Sequence, residues 1–168
     1  MSKTTCALKT RLAQLGALAL ISAATVSLPT NFAAAADSLD VLAGSWRGDG
    51  TMSFESGKTE NISCHGYYKG TGDVSAVIRC KGTSSDFELR SKFKSDGGKV
   101  SGSWEERTYN ATGDAAGTAS AGKLNVKFSG SLTGGLDMNF SSSSQSVSVS
   151  VETKGAGIKG VQVSLNRI

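Results

Sequence analysis

The residues able to do chemistry are few: one histidine, His65, three cysteines, and the adjacent carboxylates Glu105 and Glu106 in "WEER". A Ser-His-Asp triad or a histidine-based metal site must therefore be built on His65. On an extended chain His65 has the opposite parity to Cys64, so the two side chains leave the strand on opposite faces. His65 then reads as an ordinary half-exposed strand residue. Glu105 and Glu106 likewise diverge and cannot act as a facing acid and base pair. Glu106 shares the parity of Val100, Gly102 and Trp104, which places it either at a polar rim or inside, with Arg79 or Arg90 as its partner. No nucleophile and base are spaced to work together. The expectation is a non-enzymatic protein with no catalytic residue, metal site or cofactor.

The elements that must position these residues begin after a distinct leader. Residues 1–36 open with Lys3, Lys9 and Arg11, continue through the apolar run "LGALALISAATVSL", and end in "NFAAAADS". This is the layout of a secretory signal peptide with cleavage before Asp37, its apolar core shorter than the roughly 20 residues of a membrane span. Cys6 lies in the basic region and not at the cleavage point, which argues against a lipoprotein. The expected destination is the bacterial periplasm or the exterior. Cleavage removes three of the 18 Lys and Arg and none of the 14 Asp and Glu, so the mature net charge falls from +4 to about +1. The basic character belongs mainly to the leader and gives no warrant for a nucleic-acid partner.

Export leaves Cys64 and Cys80 in a compartment that permits disulfides. The segment "NISCHGYYKGTGDVSAVIRCKG" reads as two strands around a glycine-rich turn, and Cys64 and Cys80 are equidistant from Gly72. A hairpin centred there sets them opposite each other. Two free thiols or a redox pair are the rival readings, the latter without the usual CxxC spacing.

Residues 37–168 suit one domain. Apolar residues alternate with polar ones, the period of strands. Ten candidate strands follow: 45–54, 61–68, 74–81, 87–94, 100–109, 115–120, 124–129, 136–140, 147–153 and 161–167. Short joins rich in Gly, Asp and Lys make consecutive hairpins. A long antiparallel meander hides its edges by closing, so an all-β up-and-down barrel of eight to ten strands is expected, with a two-sheet sandwich as the alternative. "NATGDAAGTASAGK" offers little to bury and reads as a flexible rim loop, and "SSSS" as the lead-in to the strand that carries Val147, Val149 and Val151.

In "GSWRGDG", Trp46, Met52 and Phe54 share a parity with Gly48 and Gly50, while Arg47 and Asp49 face outward with Thr51 and Ser53. The Arg-Gly-Asp tripeptide thus lies inside a strand and not at a loop apex. Gly44, Trp46, Gly48 and Gly50 fit GxWxGxG, and this resembles the nitrobindins, ten-stranded haem-binding barrels. The shorter GxW unit is similar to that of lipocalins and other calycins, in which the first-strand Trp packs beneath an Arg from the end of the barrel. The resemblance implies barrel closure by Gly44, Trp46, Gly48, Gly50 and Arg167. It also implies haem held by a late histidine, but no histidine follows His65 and the chain ends "GVQVSLNRI". The barrel is carried over and the haem is not.

Two functions follow as expectations. One is a small apolar or aromatic ligand inside the barrel, lined by Trp46, Met52, Phe54, Trp104 and Phe128. The other is an envelope protein-interaction or inhibitor module that presents the "SDGGK" and "NATGDAAGTAS" segments as loops to a partner protein.

Overall fold

The computed structural model describes residues 39–168, so the leader and its cleavage point lie outside the described residues. A short 3-10 helix, Leu39–Leu42, precedes ten strands: β1 Gly44–Phe54, β2 Thr59–Lys69, β3 Asp73–Lys81, β4 Asp86–Asp96, β5 Lys99–Glu106, β6 Ala111–Ser120, β7 Lys123–Gly130, β8 Gly134–Phe140, β9 Ser144–Val151 and β10 Ile158–Arg167. Each strand pairs antiparallel with the next and β1 pairs with β10, which closes the sheet into one barrel. The meander barrel expected from the alternation is therefore the observed fold, and the sandwich is not. Closure gives every strand two partners and leaves no exposed edge.

The alternation read from the sequence sets inside and outside. In β2, Ile62, Cys64, Gly66 and Tyr68 are buried while Asn61, Ser63, His65, Tyr67 and Lys69 are exposed. In β1, Gly48 lies against β10, where a Cβ would overlap the carbonyl of Ser164. Only a residue without a side chain allows the two strands to approach this closely at the seam.

Four local expectations are corrected. "NATGDAAGTAS" is not a rim loop: its residues 111–120 are β6, paired on both sides with β5 and β7. Its inward positions are Ala111, Gly113, Ala115, Gly117 and Ala119, and its burial comes from neighbours such as Trp104 and Phe128. Ladder hydrogen bonds on both edges override the weak strand propensity of Ala and Gly. β5 ends at Glu106 and not at Tyr109, because residues 107–110 form the turn, with Asn110 at φ 55°. "SSSS" is divided, with Ser141–Ser143 forming the turn and Ser144 opening β9. The "SDGGK" segment contributes only a tight turn at Gly97 and Gly98 between β4 and β5.

Cys64 and Cys80 are bonded, directly opposite each other on β2 and β3, with Cα atoms 4.1 Å apart and both side chains buried. The register centred on Gly72 holds over the whole hairpin, from Lys69 with Ser75 to Ser63 with Lys81. Replacing both cysteines by alanine is expected to cost about 3 kcal/mol of stability, since the crosslink restricts the unfolded chain. Urea unfolding followed by circular dichroism checks this. A midpoint equal to that of the oxidised parent would show that the bond contributes nothing.

Candidate functional site

The barrel has two unlike ends, set by the direction of its strands. The start of β1 and the ends of β2 and β10 meet at one end, where the 3-10 helix covers them. Leu39 and Leu42 of that helix are both 2 % exposed. Trp46 is fully buried, and its indole Nε1–H donates to the Leu42 carbonyl at 2.8 Å. The Arg167 guanidinium lies over the Trp46 ring, 4.3 Å from the centroid. It also donates to the carbonyls of Val41, Ala43 and Ser142, tying the last strand to the entry of the first and to the β8–β9 turn. Gly44, at φ 131°, has no side chain because a Cβ there would run into the same guanidinium.

Tyr68 stands edge-on to Trp46, with centroids 6.4 Å apart, and its hydroxyl donates to Gln145 Oε1 at 2.9 Å. Burial pushes the Tyr68 phenol pKa up, so the hydroxyl stays protonated as a donor. The Asp40 carboxylate accepts from the Gly72 N–H at 2.7 Å, which fixes the helix to the β2–β3 turn. Gly44, Trp46 and Arg167 therefore converge, whereas Gly48 and Gly50 line the β1–β10 seam further along.

The far end carries the β1–β2, β3–β4, β5–β6, β7–β8 and β9–β10 turns. Met52 and Phe54 of β1, Trp104 of β5 and Phe128 of β7 lie in the halves of their strands that lead to it. The five residues expected to line a ligand site are thus divided: four lie toward the far end and Trp46 is sealed at the other. Trp104 and Phe128 pack edge to face with centroids 5.8 Å apart, and the Trp104 Nε1–H donates to the Ser129 carbonyl at 3.3 Å. Met52 is 1 % and Trp104 8 % exposed, whereas Phe54 and Phe128 are half-buried. Phe87, Leu89, Leu136, Val149, Ile158 and Val161 share this end and are half-buried as well. These six were missed from sequence, although their parity and their place within each strand carried the signal.

Two inward carboxylates mark the rim. Glu60 accepts from the N–H and the hydroxyl of Ser84, the latter at 2.7 Å, and these bonds hold its carboxyl below the usual range. Glu106 accepts from the N–H groups of Glu88, Thr108 and Tyr109, at 3.1, 3.0 and 2.6 Å, and so caps the β5–β6 turn. Its expected partners Arg79 and Arg90 are instead each 2.7 Å from Glu88, whose carboxyl they hold low. Glu105 points outward, 3.7 Å from Arg107. His65 is exposed on the outer wall between its cross-strand neighbours Arg47 and Arg79. Among the described residues, no group of three or more His, Cys, Asp or Glu side chains is placed to hold a metal ion.

No protein-family model matches the chain, and no curated protein matches it in sequence. Solved structures match in fold. The crystal structure of Rv2717c from M. tuberculosis superimposes with a TM-score of 0.64 over 77 % of this chain and 94 % of that one, at 12 % identity. The redesigned β-barrel mFAP1, solved bound to DFHBI, gives a TM-score of 0.45 over 76 % of this chain and 96 % of that one, at 11 % identity. At these identities the likeness is one of fold.

Replacing Arg167 by leucine removes the stacked cation and three hydrogen bonds to backbone carbonyls. The expected loss is about 1–3 kcal/mol, with Trp46 emission moving to longer wavelength as the closed end loosens. Chemical denaturation monitored by tryptophan fluorescence in a Trp104→Phe background measures both. An unchanged midpoint and spectrum would show that Arg167 is not the clasp.

Proposed function

We propose that the protein is an exported carrier that holds a small apolar or aromatic molecule in the far half of its barrel. The observation that carries this reading is the contrast between the ends. Trp46, Tyr68, Leu124 and Leu165 at the helix-covered end are buried, whereas at the far end Phe54, Phe87, Leu89, Phe128, Leu136 and Ile158 are half-buried around buried Met52 and Trp104. Side chains fill an eight-stranded barrel, but a ten-stranded one is wider. Here β6 adds only methyl groups or hydrogens to the interior, so the space beside it is lined by Trp104 and Phe128. Phe54, Trp104 and Phe128, with Met52 beneath them, supply aromatic and thioether contacts suited to such a molecule.

Export rests on the leader, with cleavage before Asp37 and residues 37–168 as the mature domain. The buried Cys64–Cys80 bond supports an oxidising destination, periplasmic or secreted. The resemblance to nitrobindins and lipocalins adds the barrel and the Trp–Arg clasp but no haem. His65 faces outward, and the Tyr68 hydroxyl is committed to Gln145. The alternative of an interaction module has lost its two loops, one to β6 and the other to a tight turn.

Native mass spectrometry of the protein released from its own cell envelope tests the reading. The expected species is residues 37–168, with the disulfide formed, carrying a non-covalent adduct. The bare chain alone, or an uncleaved chain in the cytoplasm, would contradict it. Ala115→Leu adds an independent check, because Ala115 lies inside β6 between Gly102 and Phe128. If the interior has room, the variant keeps its stability to within about 1 kcal/mol and loses binding of a naphthalene dye. If the interior is filled, overpacking costs about 1–3 kcal/mol and the parent binds no dye.

A further inference from the structure

The charges of residues 37–168 are unevenly spread. On the outer wall of β1–β4, strand alternation and register set three rows side by side: Arg47, His65, Arg79 and Glu88; Tyr67, Val77 and Arg90; and Lys69, Ser75 and Lys92. With strands about 4.8 Å apart and rows about 7 Å apart, this face is about 14 Å on a side. It holds five Lys and Arg against one Glu, whereas the rest of residues 37–168 holds ten Lys and Arg against thirteen Asp and Glu. A chain of net charge near +1 thus presents about +4 on one wall and about −3 elsewhere.

Pairing within the protein does not cancel this patch. Arg79 and Arg90 share the single carboxylate of Glu88, each at 2.7 Å. Arg47, Lys69 and Lys92 are exposed and enter no ion pair among the described residues. Of the carboxylates at its border, Asp73 and Glu105 lie against Lys94 and Arg107, at 3.8 and 3.7 Å, and Asp49 is on the next row beyond Arg47. Tyr67 stands in the middle, 52 % exposed, and among the described residues it is the one large exposed hydrophobic side chain carried by a strand. An amphipathic ring surrounded by long basic side chains suits a membrane–water interface, where the phenol lies among headgroups and the Lys and Arg stems reach out to phosphates.

We propose that this wall docks on a membrane surface rich in anionic phospholipid, with lipid phosphates meeting the five cations and Tyr67 entering the headgroup layer. Each Lys or Arg held near such a surface favours binding about fivefold. The contact is peripheral and uses no segment that crosses the bilayer. Docking gives the proposed carrier a bilayer from which to load an apolar cargo, but it is read without cargo and stands or falls separately from that reading.

Co-sedimentation of residues 37–168 with lipid vesicles is the test. The protein is expected to sediment with vesicles of phosphatidylglycerol and phosphatidylcholine in equal parts, to stay in solution with phosphatidylcholine alone, and to be released as added salt screens the contact. Lys69→Gln with Lys92→Gln should lower the partition about 25-fold. Lys123→Gln with Lys127→Gln removes the same charge from exposed positions on β7, across the barrel from β2, and should leave the partition unchanged. Equal losses from the two pairs would reveal an effect of net charge and overturn the patch. Absence of binding to the anionic vesicles overturns the docking, and Tyr67 NMR peaks that then move with alginate, a soluble polyuronate, would assign the wall to acidic glycans instead.

Discussion

The contact on which the rest depends is Arg167 stacked over Trp46. It joins the first and last strands, the pairing with the greatest sequence separation and the largest loop-closure cost in a meander otherwise made of neighbouring hairpins. Local turns bring β1 to β2 and each strand to the next, but nothing local brings β10 back to β1. The β1–β10 ladder does this, from Trp46 with Arg167 to Phe54 with Ile158, and the guanidinium fastens one end of it: it covers the indole, bonds carbonyls at the entry to β1, and reaches the β8–β9 turn. Glycine at positions 44 and 48 gives the seam the clearance it needs.

That clasp gives the barrel its polarity. The helix-covered end is filled by Leu39, Leu42, Trp46 and Tyr68, and the half-buried apolar side chains Phe54, Phe87, Leu89, Phe128 and Leu136 gather toward the other end. The disulfide lies inside the β2–β3 wall and fixes its register, which a one-residue slip would turn inside out. Glu60 and Glu106 have inward parity, yet each spends its carboxylate on a turn. They stiffen the rim and leave the lining of the far half apolar.

Much of this was legible in the sequence. Period-two alternation located nine of the ten strands and only the second half of β6, and the equal spacing of Cys64 and Cys80 about Gly72 set the register of their hairpin. β6 was hidden because alternating Ala and Gly carry no hydrophobic signal; its strand state is imposed by neighbours on both sides. Parity separated inside from outside but was not combined with strand direction. In a meander, late positions of odd-numbered strands share one end, which is why Met52, Phe54, Trp104 and Phe128 group together and Trp46 does not. The Tyr68–Gln145 contact joins strands that are not sheet neighbours, so no pairing rule exposes it. Likewise, nothing local shows that Glu106 caps a turn in preference to meeting an arginine.

The central claim, a barrel sealed at one end and receptive at the other, is tested most directly by bromobenzene quenching of single-tryptophan variants. The account predicts that bromobenzene, an apolar heavy-atom quencher that acts on contact, saturably quenches Trp104 in the Trp46→Phe protein. It predicts that Trp46 emission is untouched in the Trp104→Phe protein. Quenching of Trp46 as strong as that of Trp104, or no quenching of either, would contradict it.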